Sequence, residues 1–175
     1  MFSTLRHTLQ ICDEDCVFCL MFDEMSVREK LCFIHKFSCM EGFEDLGNHG
    51  RTSNIANHAI VFMLHGLHNK WKQLVAYYLI DGGAKGEMLV NLLMQVLDAN
   101  HNAGLEVVAT LCDKGGNNVK ALKHLGVSEK IPFIRFQNQE IADIFDPPHL
   151  LKFTHNLLLK HDVANVECVF TVNGK

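Results

Sequence analysis

The chain has 175 residues, 48% of them hydrophobic and 21% charged, with three prolines and a formal net charge of −4. That length suits one domain of roughly 100 to 200 residues, and the apolar content excludes a disordered chain. The weak negative charge excludes general attraction to nucleic acid or anionic lipid except through a local patch. Seven cysteines, an odd number, follow a start without an apolar leader, since Met1 to Gln10 carries Arg6 and His7. A reducing, intracellular setting is therefore expected. The longest apolar runs, such as Ile60 to Leu64 and Val75 to Ile80, are far shorter than the roughly 20 residues a membrane helix needs, so no membrane span is expected.

Taken in chain order, Val17 to Phe22 (VFCLMF) is apolar almost throughout and stops at Asp23-Glu24, which predicts a central strand. Leu31 to Phe37 is a second aromatic and β-branched run, and the short polar connection between the two predicts a hairpin. Gly42, Gly47 and Gly50, with Asn48 and Asn54, read as loop. Ala59 to Leu64 and Leu74 to Ile80 read as two more strands joined by the basic turn HGLHNKWK. From Glu87 the period changes: Leu89, Leu92, Leu93, Val96 and Leu97 recur at helical steps, and the helix is expected to close before Gly104.

Leu105 to Leu111 then predicts a valine-rich strand ending in Cys112-Asp113, followed by a Gly115-Gly116 loop and a short helix through Ala121, Leu122 and Leu125. Ile141 to Phe145 predicts a last short strand. Asp146-Pro147-Pro148 opens a helix, since proline is tolerated in the first turn, with Leu150, Leu151, Leu157 and Leu158 as its buried face. An antiparallel meander feeding a parallel half predicts an α/β fold, a mixed sheet with flanking helices. Charge is uneven: residues 1–50 hold nine acids against four Lys or Arg, whereas Pro148 to His161 has Lys152, Lys160 and three histidines with no acid.

Two apolar strands deliver an aspartate at their carboxyl ends, Asp23 and Asp113. Ligands of open α/β sheets bind at that edge, and neighbouring strands lie about 4.8 Å apart, so adjacency would bring the two carboxylates together. Such a pair suits Mg²⁺, with Mn²⁺ as a substitute, and two ions about 3.5 to 4 Å apart can hold both oxygens of a phosphoryl transfer. Either aspartate alone reads equally as a turn cap. Glu24 would point to the opposite face of the strand, and Asp146 reads as an N-cap for the helix that follows.

Other signals are weaker. Cys12, Cys16 and Cys19 are spaced C-x₃-C-x₂-C, yet Cys19 lies in the apolar strand, where a thiol behaves as a small hydrophobe. In the basic turn, Lys70 and Lys72 with His65, His68 and Trp71 suit either phosphate contacts or a solvated hairpin end; Lys152 is a further possible DNA contact. Gly115-Gly116 lacks the Walker spacing and is expected to let the backbone turn beside Asp113.

Four blocks, FDEM at Phe22 to Met25, GLHNKWKQLVAYYL at Gly66 to Leu79, CDKGGNN at Cys112 to Asn118 and DPPHLLK at Asp146 to Lys152, occur in the order found in one family. Over about residues 18 to 160 the chain resembles the RNase H-like catalytic domain of P element type transposases, including THAP-containing members. The resemblance implies that Asp23 and Asp113 are the first two carboxylates of a DDE-type set binding two Mg²⁺ ions, and that DNA is the partner in the nucleus. It also implies a division into an extension (1–16), a partial RNase H-like domain (17–147) and the start of a region leading into a GTP-binding insertion (148–175). The family's third carboxylate, a glutamate on a late helix, has no counterpart: Glu167 sits in VECVF, and His155 stands where the family has arginine. A fragment that is incomplete or inactive as a nuclease is expected, with a domesticated, non-catalytic interaction module as the alternative.

Overall fold

The computed structural model describes residues 17–68 and 71–160. The chain runs β1 (Val17–Ser26), β2 (Cys32–Ile34), β3 (Cys39–Glu41), β4 (Phe43–Asp45), β5 (Arg51–Ile55), β6 (His58–Gly66), β7 (Lys72–Ile80), α1 (Gly86–Asn102), β8 (Glu106–Cys112), α2 (Gly116–His124), β9 (Phe133–Phe136), β10 (Gln139–Phe145) and α3 (Pro147–Lys160). Eight strands form one sheet in the order β5-β4-β7-β6-β1-β8-β10-β9, and β2 and β3 form a separate ribbon. β8 pairs in parallel with β1 and with β10, while every other ladder of the sheet is antiparallel. This is the expected α/β mixed sheet.

The near-continuous apolar run of β1 follows from its place at the centre, with β6 on one side and β8 on the other. Phe18, Leu20 and Phe22 are almost fully buried on one face, in a core completed by Leu89, Leu92, Leu93, Val96 and Leu97 of α1 and by Ala121 and Leu122 of α2. Each such leucine, fully buried, contributes roughly 1.5–3 kcal/mol. On the other face Met21 is half-buried and Asp23 is exposed, so alternation along one strand separates core from site.

Three expectations are corrected. The Leu31 to Phe37 run does not pair with β1, because both edges of that central strand are already taken; instead Cys32–Ile34 folds locally against Cys39–Glu41. The supposed loop from Gly42 to Asn54 contains β4 and β5, which join the sheet beside β7. Its glycines do make turns, with positive φ at Gly42, Gly47 and Gly50, but the segments between them are held by Asp45, which accepts from Arg51 and from the Gly47 N–H, and by Glu44, which accepts from Thr52 and the Asp81 N–H. Finally, Leu151 of α3 is 73% exposed, since among the described residues no part of α3 joins the core cluster. Leu157 and Leu158 have no described side chains.

β9 adds an edge strand to the expected β10, turning at Gln137, whose φ is 52°. No helix among the described residues is long and apolar enough to cross a membrane.

Candidate functional site

The parallel ladder of β1 and β8 runs to Met21 opposite Leu111, and two residues further along each strand stand Asp23 and Asp113. β1 itself continues against β6 to Ser26, so Asp23 marks the end of the parallel ladder and not of the strand. Both aspartates line one cavity of about 220 Å³, together with Met21, Met63 and Cys112 from the strands and with Asp146 and His149 from the start of α3. The sheet topology thus brings the two sequence-predicted carboxylates to one place.

Local bonding orients each of them. Asp23 Oδ1 accepts the Glu24 N–H at 2.8 Å. Asp113 Oδ1 accepts the Gly115 N–H at 2.9 Å and the side-chain amide of Asn118. In each carboxylate one oxygen is thereby held by a neighbouring donor. Glu24 faces away, as expected: its Oε2 accepts the Ala84 N–H at 3.0 Å and its Oε1 lies 3.9 Å from His58 Nε2.

Asp146 behaves differently from its sequence reading, and a further carboxylate, Asp143, had none. Asp146 stands at the start of α3, where its carbonyl accepts the Leu150 N–H. Its carboxylate, however, has no N–H to cap on Pro147 or Pro148 and lies 3.7 Å from His149 Nε2 at the cavity. Asp143, on β10 opposite Thr110, is a half-buried carboxylate that accepts the Thr110 hydroxyl at 2.8 Å. Burial pushes its pKa up, and the Thr110 bond offsets part of that. Nothing but the alternation in QEIADIF marked this position in the sequence. Between these groups the Cys112 thiol is held well above its ordinary range, first by burial and then by the carboxylates of Asp143, Asp113 and Asp23. It stays protonated and acts as packing.

The basic groups are not gathered at the cavity. Lys72 is exposed at the far end of the sheet, opposite His65, which in turn pairs with Cys19, four residues from Asp23 or about 13 Å along the strand. Lys152 is exposed on α3, one turn beyond His149, and Lys70 lies outside the described residues. Trp71 packs edge-on against Phe18 with ring centroids 5.4 Å apart, which makes it part of the core. Cys19 is buried in β1, and burial raises its thiol pKa, as expected of a small hydrophobe; Cys12 and Cys16 lie outside the described residues.

As a donor set, two strand-end carboxylates fit a hard cation such as Mg²⁺, which commonly takes one or two carboxylates and completes its shell with water and phosphate oxygens. The set is small: among the described residues no three His, Cys, Asp or Glu side chains are grouped so as to hold a metal ion.

The family model of the TNP-like RNase H N-terminal domain matches residues 1–126. The chain belongs to this family. The fold agrees: the solved Drosophila P element transposase strand transfer complex is similar with a TM-score of 0.67 at 23% identity. That match covers 91% of this chain and 33% of the transposase chain, so this RNase H-like transposase domain spans about a third of its solved relative. Comparison with curated protein sequences gives no match.

Proposed function

We propose that this RNase H-like domain carries the first part of a metal-dependent DNA cleavage and strand-transfer site, with Asp23 and Asp113 as the metal-binding carboxylates. One observation supports this above others: β1 and β8 lie side by side in parallel and place both aspartates in one cavity, within a chain of the transposase family. Mg²⁺ is the natural ion and Mn²⁺ its substitute. Bound there, it would polarise a phosphodiester oxygen as a Lewis acid. The chain's own residues set where it sits: the Gly115 N–H and Asn118 fix Asp113, and the Glu24 N–H fixes Asp23.

DNA is the proposed partner and the nucleus the proposed location, both following from the family and from the DNA strand-transfer complex of the solved relative. Lys72 and Lys152 are proposed as DNA-backbone contacts outside the cavity, and Lys70, which lies outside the described residues, as a third contact. Residues 17–147 form the proposed RNase H-like unit, preceded by an extension and followed by the approach to a GTP-binding insertion. A second reading, a scaffold that binds without turnover, draws support from the small donor set around the cavity.

Calorimetric titration with Mn²⁺ separates the two readings. Saturable binding lost in both D23N and D113N supports the metal site, whereas equal heats in parent and variants leave only the scaffold.

A further inference from the structure

Asp23, Asp113 and Asp146 all line the cavity, and among the described residues no Lys or Arg lines it. A phosphodiester entering such a site meets the repulsion of these carboxylates among apolar side chains, which a divalent ion offsets only in part. The remaining need is for an N–H donor aimed inward, because charge-assisted bonds to phosphate oxygens position a nucleic-acid backbone. Of the described side chains lining the cavity, His149 alone carries a basic nitrogen; the other polar hydrogen is the thiol of Cys112, which is 2% exposed.

The start of α3 holds that ring in place. The Asp146 N–H donates to the Cys112 carbonyl at 2.8 Å, which ties the end of β10 to the end of β8 beside Asp113. Pro147 and Pro148 then fix two backbone φ angles. One turn into the helix, His149 Nε2 lies 3.7 Å from Asp146 Oδ2, near enough for attraction but too far for a hydrogen bond. The ring is oriented by the carboxylate without spending its donor capacity, and 53% of its side-chain surface is open to an incoming ligand.

The geometry points to His149 as a phosphate-contacting residue of this cavity, positioned by Asp146, that holds a backbone phosphate of bound DNA beside Asp23 and Asp113. This rests on the proposed metal-dependent DNA reading and adds to it the group that receives the substrate's charge. The Asp146-Pro147-Pro148-His149 run, with the two prolines between carboxylate and imidazole, is the sequence signal for it.

The test measures binding of a short fluorescein-labelled duplex to the full chain in Ca²⁺, at about pH 6 where imidazoles carry much of their charge, across a range of KCl concentrations. H149A and H149Q should bind several-fold more weakly, and their plots of log affinity against log salt should be shallower by about 0.9, the contribution of one phosphate contact. H149R should restore the slope. A merely structural histidine would lower thermal stability without changing that slope, so melting curves accompany each variant. Parent-like slopes in folded H149A and H149Q would overturn the role of His149 while leaving the DNA reading intact. A parent chain that fails to bind duplex would overturn both.

Discussion

Asp113 Oδ1 accepts the Gly115 N–H at 2.9 Å, and a Cβ added to Gly115 would stand 2.9 Å from that same oxygen. The glycine is needed for close approach and not for its backbone angles, since its φ of −65° suits any residue. Something must shift in G115A, and the freest atom is the carboxylate itself. The variant should therefore lose metal affinity by about tenfold or more, the scale seen when a group orienting a ligand is removed. Its melting temperature should change little, because the buried core is untouched. Manganese titration followed by electron paramagnetic resonance reads the first effect and calorimetry the second; unchanged affinity would show that Asp113 is not held for a cation.

Asp143 offers a test of stability against pH. Its pKa is raised in the folded state, by burial first and against the opposing bond from Thr110. A carboxyl that holds its proton more tightly when folded favours folding most below its unfolded pKa, near 3.9, and that contribution is lost as pH rises through the folded value. D143N keeps an acceptor for the Thr110 hydroxyl and carries no charge. At pH 7 it should melt a few degrees above the parent, and the difference should close as pH falls toward the ordinary carboxylate range. Denaturation curves at several pH values check this; a variant less stable than the parent at pH 7 would mean the ionised group is favourably placed.

Trp71 separates packing from nucleic-acid contact within the basic turn. Its ring meets Phe18 at 5.4 Å, so W71A should cost about 2 kcal/mol, less than the roughly 3–5 kcal/mol of a fully buried large aromatic because the residue is only half-buried. DNA affinity per folded molecule should not change. K72E, at an exposed position, should do the reverse: near-parent stability with weaker, more shallowly salt-dependent binding.

Features whose physics is local and strong were legible in the sequence. The VFCLMF run announces a central strand, the helical recurrence from Leu89 to Leu97 announces α1, and the aspartate after each apolar run falls where the parallel ladder of β1 and β8 ends. Long-range pairing was not legible in the same way. Leu31 to Phe37 has strand composition, but composition does not reveal that β6 and β8 already occupy both sides of β1. β5 is exposed along its whole length, so no hydrophobic alternation marked it among the glycines. Asp146 followed the rule for an N-cap; Pro148 removes one of the two N–H groups a cap could use and leaves that of His149, so the sequence did not show that its carboxylate meets the His149 ring instead.

The 175-residue chain is expected not to nick or join DNA at a measurable rate, even with the proposed metal ion bound. Two-metal phosphoryl transfer needs both ions held firmly enough to stabilise the attacking and the leaving oxygen. Around this cavity the described residues offer no grouping of three ligands, Asp146 included, although it lines the same cavity. One ion shared by Asp23 and Asp113 would bind and position phosphate, while a second would be poorly held. The assay incubates purified chain with end-labelled single- and double-stranded DNA in Mg²⁺ and then in Mn²⁺, which tolerates looser coordination, beside D23N and D113N. The expected result is no product in Mg²⁺ and none in Mn²⁺ beyond that of the variants. Metal-dependent nicking that disappears in both variants would show that the two carboxylates suffice for chemistry, whereas cleavage equal in all three proteins would come from a contaminating nuclease.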